Sequence, residues 1–171
     1  AIINAFSEED DAKYWDASNQ LLPHWLTIVQ HAQQHNYESQ MLGTLMLQAG
    51  RFSTELANYD QAEQLFQQVL EMRIRMLGSE HLEVAEIQNA LGYLYHDKNL
   101  YDKAQELYQQ SLETRKRILG DKAHRGLAES FQNLSVLYKD RALYSQAEQF
   151  GKEALSMHKQ LYGEVDYHVA S

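Results

Sequence analysis

The hydrophobic positions of this chain follow a helical period, and the pattern returns three times. Apolar residues recur three and four positions apart over residues 62–77, 104–119 and 147–162. This spacing is typical of amphipathic helices that bury one face. Tyrosines introduce the three segments at intervals of 42 and 43 residues: Tyr59, Tyr101 and Tyr144. A pattern with this period predicts stacked copies of one supersecondary unit.

Each copy is predicted to contain two helices. The first helix carries a small residue, at Gly50, Gly92 or Ser135, which lets the two helices approach closely. We expect the first helices over roughly the following ranges: 41–55, 84–98 and 127–141. Before the first copy, helices are predicted at about 8–18 and 21–35.

The second helix of each copy has start and stop signals. Asp60, Asp102 and Ser145 are predicted N-caps because Glu or Gln follows three residues later, as in a capping box. Three glycines are predicted to end these helices in a left-handed conformation: Gly78, Gly120 and Gly163. Basic residues near these ends, such as Arg73 and Arg115, are interpreted as charges that complement the helix dipole rather than as a phosphate site.

Aromatic residues at the repeat spacing are expected in the core. Five tyrosines share this prediction: Tyr59, Tyr95, Tyr101, Tyr138 and Tyr144. Gly151 stands where the first two copies have Phe66 and Tyr108, so either a neighbouring side chain or a partner must fill that space.

These repeats resemble the tetratricopeptide repeat in its 42-residue, kinesin-light-chain-like form. The second copy carries Leu91-Gly92-Tyr93-Leu94-Tyr95, followed by Tyr101, Ala104, Leu107-Tyr108 and Leu119-Gly120. The resemblance implies an all-α protein, a right-handed α-α superhelix of about eight helices. It divides the chain into a lead-in and three repeats followed by the start of a fourth, with these bounds: 1–40, then 41–83, 84–126 and 127–165 within 41–171.

A weaker resemblance concerns the lead-in. The segment Leu21–Leu26 is similar to the helix that introduces such repeats in signal-transduction ATPases with numerous domains. Because the chain begins with Ala and the last helix keeps an apolar face, we expect an excised segment of a longer protein. That C-terminal face is then covered by further repeats or by self-association.

The family resemblance implies a concave face lined by the first helices. Counted around the small residues, it includes Thr44, Leu47, Gln48, Arg51 and Thr54 in the first repeat; Glu86, Asn89, Ala90, Tyr93 and His96 in the second; and Glu129, Gln132, Asn133, Val136 and Lys139 in the third. Amides on such a face suit an extended peptide, because they can satisfy its backbone donors and acceptors.

Composition narrows the function classes. The chain has 171 residues, no cysteine and a net charge of −9, so a thiol nucleophile is excluded, and attraction to nucleic acid or anionic lipid is disfavoured. No phosphate loop, H-E-x-x-H or G-x-S-x-G motif occurs, and His24, His31 and His35 are interpreted as a solvated helix face. We therefore expect no cofactor, no metal, no catalysis and no membrane or nucleic-acid partner.

The predicted function is a cytoplasmic protein-interaction module that binds a protein or peptide in its groove. A cargo adaptor like kinesin light chain is an alternative within this class, and a structural or oligomerisation spacer is an alternative outside it. The acidic run at residues 8–11 is interpreted as the first turn of a capped helix, with a docking site for a basic partner as its alternative.

Overall fold

The computed structural model describes residues 22–32, 34–35, 37–120 and 122–163. Within these ranges the regular structure is helical throughout, with no strand, and it begins with α1 at 22–32. Six further helices follow in chain order: α2 Gln40–Glu55, α3 Tyr59–Leu77, α4 Leu82–Asp97, α5 Tyr101–Leu119, α6 Arg125–Asp140 and α7 Tyr144–Tyr162. The predicted first helices are confirmed to within two residues at each end.

Some sequence predictions lie outside the described residues. These are the helix at 8–18 with Trp15, the acidic run at 8–11, and the fourth repeat expected after residue 165. In the described part of the lead-in, Leu22 and Val29 are buried. Trp25 meets Phe52 of α2 edge to face, with ring centroids 6.5 Å apart, so the lead-in packs on the first repeat.

The chain divides into two compact units, 1–72 and 73–171, and the division falls within α3. In the first unit, α2 packs on α3 where Gly50 meets the ring of Phe66. In the second unit, consecutive helices from α4 to α7 pack against one another around Leu94, Leu134 and Leu137, which are completely buried. Burial of these alternating apolar stripes is the main source of stability in such hairpins.

The capping prediction for the second helices is wrong. The N-caps of α5 and α7 are Leu100 and Leu143, two residues before the predicted ones, and neither makes a side-chain hydrogen bond. α3 likewise begins before Asp60. The aspartates at 60 and 102 therefore lie in the first turn, where their charge still complements the helix dipole.

Side-chain caps lie on the first helices instead. Ser39 Oγ accepts from Leu42 N at 3.1 Å at the start of α2. His81 Nδ1 accepts from Glu83 N at 3.2 Å, and His124 Nδ1 accepts from Gly126 N at 3.0 Å. An imidazole nitrogen therefore takes the place of the usual hydroxyl or carboxylate oxygen in two of these three caps.

Residues other than glycine adopt a positive φ directly after the first helices. Ala57, Asn99 and Ala142 have φ values of 57°, 57° and 58°. Asparagine tolerates this left-handed conformation, whereas alanine pays a steric cost. The glycines that end the second helices also have positive φ, as predicted. Gly120 and Gly163 have ψ values of −140° and 173°, however, so both are extended rather than left-handed helical.

The core prediction holds for two of the five tyrosines and fails clearly for one. Tyr95 and Tyr138 are buried, whereas Tyr144 is 68% exposed. Tyr101, which is half-buried, donates to Asn99 Oδ1 at 2.7 Å and packs against the His96 ring at 5.7 Å. The residues that correspond to these partners in the last hairpin are Ala142 and Lys139, and they offer Tyr144 neither contact.

Arg73 and Arg115 are buried and bind the following helix, so their interpretation as helix-end charges is wrong. Arg73 pairs with Glu83 at 3.0 Å. Arg115 Nη1 donates to the carbonyl of Gly126 at 2.6 Å and to Ser130 Oγ at 2.7 Å. Each guanidinium connects a second helix to the next first helix, and the hydrogen bonds of Arg115 offset the cost of burying its charge.

Candidate partner-binding face

α4 and α6 lie side by side in the second unit and together form a surface that we call the α4–α6 face. Asn133 Nδ2 donates to Asn89 Oδ1 at 3.1 Å, and His96 Nε2 lies 2.9 Å from Asp140 Oδ2. These two contacts join equivalent helices of successive repeats. They define the surface on which the residues predicted to bind a partner can be located.

The predicted residues share this face because their spacing matches the helix. Intervals of three and four residues place side chains on one stripe. The stripe of α4 carries Glu86, Asn89, Tyr93 and His96, and that of α6 carries Glu129, Gln132, Asn133, Val136 and Lys139. Nine of the predicted residues are therefore brought together on two adjacent helices.

The residues of this face differ in exposure, some being buried beneath it and others accessible to a partner. Asn89 is only 3% exposed, and its amide supports Asn133 from below. Tyr93 and Val136 are 46% and 42% exposed. Gln132 and Lys139 are also exposed, so the face offers apolar, amide and cationic groups to a partner.

The first unit presents a separate set of predicted residues on α2. Thr44 and Gln48 are exposed, and Arg51 is partly exposed. Leu47 and Thr54 are buried, and the Thr54 hydroxyl donates to the carbonyl of Gly50 at 3.0 Å. Little of these two side chains is left for a partner, and the same holds for Ala90 of α4, which is 7% exposed.

Two acidic residues at the ends of the first helices have shifted pKa values. Partial burial raises the pKa of Asp97, and His96 opposes this effect. Burial likewise raises the pKa of Glu55, and Arg51 opposes it. The sequence predictions missed Asp97, although acids recur at this register, at Glu55, Asp97 and Asp140.

Tyr108 of α5 was also missed as a component of this face. Its ring packs on Gly92, and the residue is 1% exposed. Burial raises the pKa of its phenol, and Asp97, Tyr93 and Glu129 raise it further. The contact of this ring with Gly92 joins α5 to α4, a relation that no local sequence pattern reveals.

In the described ranges, no group of three or more His, Asp or Glu residues is placed to hold a metal ion. His31 lies on α1, and the backbone N–H of His35 donates to the His31 carbonyl at 3.3 Å, so these two histidines follow one helical turn. Among the helices described, none combines the length and apolar character needed to cross a membrane.

The model of the tetratricopeptide repeat family matches residues 40–117 and 99–160. The chain belongs to this family. Its repeats are all-α and of the solenoid type, and they make the chain a protein-interaction module. No curated protein matches the sequence.

Solved structures with the same fold include kinesin-light-chain-like proteins. The crystal structure of BtubC (BKLC) from P. vanneervenii superposes with a TM-score of 0.78 at 21% identity, over 92% of this chain and 63% of that one. The chain thus spans less than two thirds of BtubC.

Two crystal structures of a proposed kinesin light chain from Podospora anserina, with nearly identical TPR-like repeats, are also similar. Their TM-scores are 0.69 and 0.67, both at 16% identity, over 84% and 86% of this chain and 68% and 70% of theirs. At these identities the likeness concerns the fold alone.

Proposed function

We propose that the α4–α6 face binds an extended segment of a partner protein. The observation that carries this proposal is the Asn133–Asn89 hydrogen bond, which holds amide groups at the centre of a face that also exposes Tyr93 and Val136. Side-chain amides can pair with the donors and acceptors of an extended backbone, while the two apolar groups bury side chains of the bound segment.

The proposal includes a non-enzymatic role, in the cytoplasm, within a larger signalling or sensor protein. It is supported by the family, by the absence of cysteine and of nucleotide-binding or hydrolase motifs in the sequence, and by the polar, amide-rich character of the face. Cargo binding of the kind performed by kinesin light chains is a special case of the same activity.

The test begins with selection of binders from a displayed library of random peptides against the whole chain. Synthetic copies of the selected peptides are then titrated by fluorescence anisotropy. A triple variant, Tyr93→Ala, Gln132→Ala and Asn133→Ala, should weaken binding at least tenfold, since hot-spot truncations each cost about 1–2 kcal/mol.

A matched control replaces one exposed residue of the same register on each second helix: Gln64→Ala, Glu106→Ala and Gln149→Ala. The control should bind like the parent chain, and circular dichroism should show that both triple variants keep their helical melting curves. The proposal would be contradicted if both triple variants lost the same amount of binding affinity, or if the variant of the α4–α6 face bound as tightly as the parent chain.

A further inference from the structure

The N-terminal ends of α4 and α6 are each closed by a histidine ring. His81 Nδ1 accepts a hydrogen bond from the backbone N–H of Glu83 at 3.2 Å, and His124 Nδ1 accepts one from that of Gly126 at 3.0 Å. An imidazole nitrogen accepts a hydrogen bond only while it carries no proton, and the imidazolium form has an N–H at both nitrogens. Both caps therefore depend on the neutral form of histidine.

The first repeat closes the equivalent helix with a group that does not titrate near neutral pH. Ser39 stands at the repeat position of His81 and His124, and its Oγ accepts from Leu42 N at 3.1 Å. Histidine takes up its second proton between about pH 7 and pH 5, a range in which a serine hydroxyl does not change. Protonation removes the acceptor from α4 and α6, and it also places a positive charge at the positive end of each helix dipole.

An arginine side chain lies beside the cap of α6. A Cβ atom built on Gly126 would lie 3.1 Å from His124 Nδ1 and 3.2 Å from Arg115 Nε, so the imidazole and the guanidinium approach the same point. Arg115 also donates to the Gly126 carbonyl at 2.6 Å, and Glu129 lies 3.5 Å from its Nη2 atom. A proton on His124 therefore adds a cation next to a fixed cation, which is unfavourable. Two further basic residues flank the histidine in the sequence: Lys122 and Arg125.

The cap of α4 has acidic neighbours as well as basic ones. Glu83, whose N–H is bonded to His81, pairs through its carboxylate with Arg73 Nε at 3.0 Å. Glu80 precedes the histidine in the loop and pairs with Arg117 of α5. These carboxylates offset part of the cost of a protonated imidazole. Acid should therefore weaken the cap of α6 more than the cap of α4.

We infer that His81 and His124 form an acid-sensitive device that holds the first turns of α4 and α6. The stabilisation by each cap is present while its imidazole is neutral and is lost as the pH falls from about 7 to about 5. The first turn of α2, capped by Ser39, keeps its stability over this range. The device goes beyond the proposed function and needs no bound partner. Because Glu86 and Glu129 lie just after the two capped turns, mild acid alters that end of the α4–α6 face.

The experiment measures by NMR how fast backbone amide protons of the whole chain exchange with water, at about pH 7.5 and about pH 5.5. A protection factor is the intrinsic exchange rate at each pH divided by the measured rate. From the higher to the lower pH, the protection factor of the Gly126 amide should fall about threefold, and that of the Glu83 amide by a smaller factor. The Leu42 amide, which is bonded to Ser39 in the same sample, should keep its protection.

Exchanging the caps assigns the effect to the histidines. His124→Ser provides the hydroxyl that Ser39 provides in α2, so the protection of the first turn of α6 should no longer depend on pH, while the fall at Glu83 remains. Ser39→His should bring a fall of about threefold to the first turn of α2. The control His31→Ser changes an exposed histidine within α1 and should leave the pattern of the parent chain unchanged.

Any of three results would overturn the inference. One is an equal loss of protection at Leu42 and Gly126, which indicates that acid loosens the helices in general. The others are an unchanged protection factor at Gly126 in the parent chain, and a fall in α6 that persists in His124→Ser. The comparison of Leu42 with Gly126 uses the parent chain alone, so it decides the question even if a variant does not fold.

Discussion

The hairpins α4–α5 and α6–α7 share one repeat pattern but solve the same packing problem in opposite ways. In the first, the small residue is Gly92 and the large one is Tyr108. In the second, Ser135 replaces the glycine, its hydroxyl donates to the Ala147 carbonyl at 2.8 Å, and Gly151 replaces the ring. A Cβ atom at Gly151 would lie 3.2 Å from Ser135 Oγ.

The aromatic volume of the second hairpin is moved by one residue rather than lost. Phe150 stacks on Tyr138, with ring centroids 5.5 Å apart and planes 7° from parallel, and it lies 6.4 Å from Phe131. The space opposite Gly151 is therefore filled by neighbours, and no partner is needed to fill it. Both hairpins thus keep close contact between their helices, but different residues supply it.

The largest loss of stability should come from removing the Tyr108 ring, on which the packing of the α4–α5 hairpin depends. Tyr108→Ala deletes a buried aromatic side chain and should lower the free energy of unfolding by about 3–5 kcal/mol. Urea titration followed by circular dichroism measures this loss. Gly151→Ala is the matched change in the other hairpin and should alter stability by less than about 1 kcal/mol; comparable losses would show that the two hairpins do not differ as described.

A smaller loss should follow from adding a methyl group at the crossing point. Gly92→Ala forces a Cβ atom into the Tyr108 ring, and overpacking of this kind costs about 1–3 kcal/mol, partly offset by the helix propensity of alanine. Ser135→Ala removes one hydrogen bond without a clash and should cost about 1 kcal/mol.

The double variant Gly92→Ala with Tyr108→Ala provides the check on that explanation. Its stability should be no lower than that of Tyr108→Ala alone, because the clash needs the ring. If Gly92→Ala destabilises both backgrounds equally, the close contact at residue 92 is not the cause.

The turns after the two first helices offer a comparison of opposite sign. Asn99 and Ala142 occupy the same left-handed conformation. Ala142→Gly should therefore stabilise the protein by about 0.5–1 kcal/mol, whereas Asn99→Ala should destabilise it by a similar amount. Thermal melts of the two variants measure the difference, and a stabilising Asn99→Ala would contradict this account.

The smallest effect concerns Asp97, which the first hairpin keeps partly buried. Because the folded state raises the pKa of Asp97, its contribution to stability is present below the unfolded pKa and is lost as the pH rises through the folded value. Asp97→Asn should therefore raise the melting temperature slightly at pH 7, and the gain should disappear below about pH 4.

The exposed Glu113→Gln on α5 serves as the control for this pH series. It should show no comparable pH-dependent gain. A gain of the same size at every pH would assign the Asp97 effect to something other than its charge.

The sequence by itself determined the repeat, the paired helices, the bounds of the first helices within two residues and the register that places Asn89 and Tyr93 on one face of α4. These follow from local causes: the helical period of apolar residues, the small residue in each first helix and the positive φ at Gly78, Gly120 and Gly163. Such causes involve residues that are close together in the sequence, so the sequence alone reveals them.

Tertiary structure decided which side chain fills each space and which charge is buried. The burial of Arg115 and the packing of the Tyr108 ring on Gly92 depend on residues from other helices, as does the exposure of Tyr144. These features are stabilised by contacts between segments that are far apart in sequence. A periodic pattern identifies the helix face on which a residue lies, but not the side chains that pack against that face.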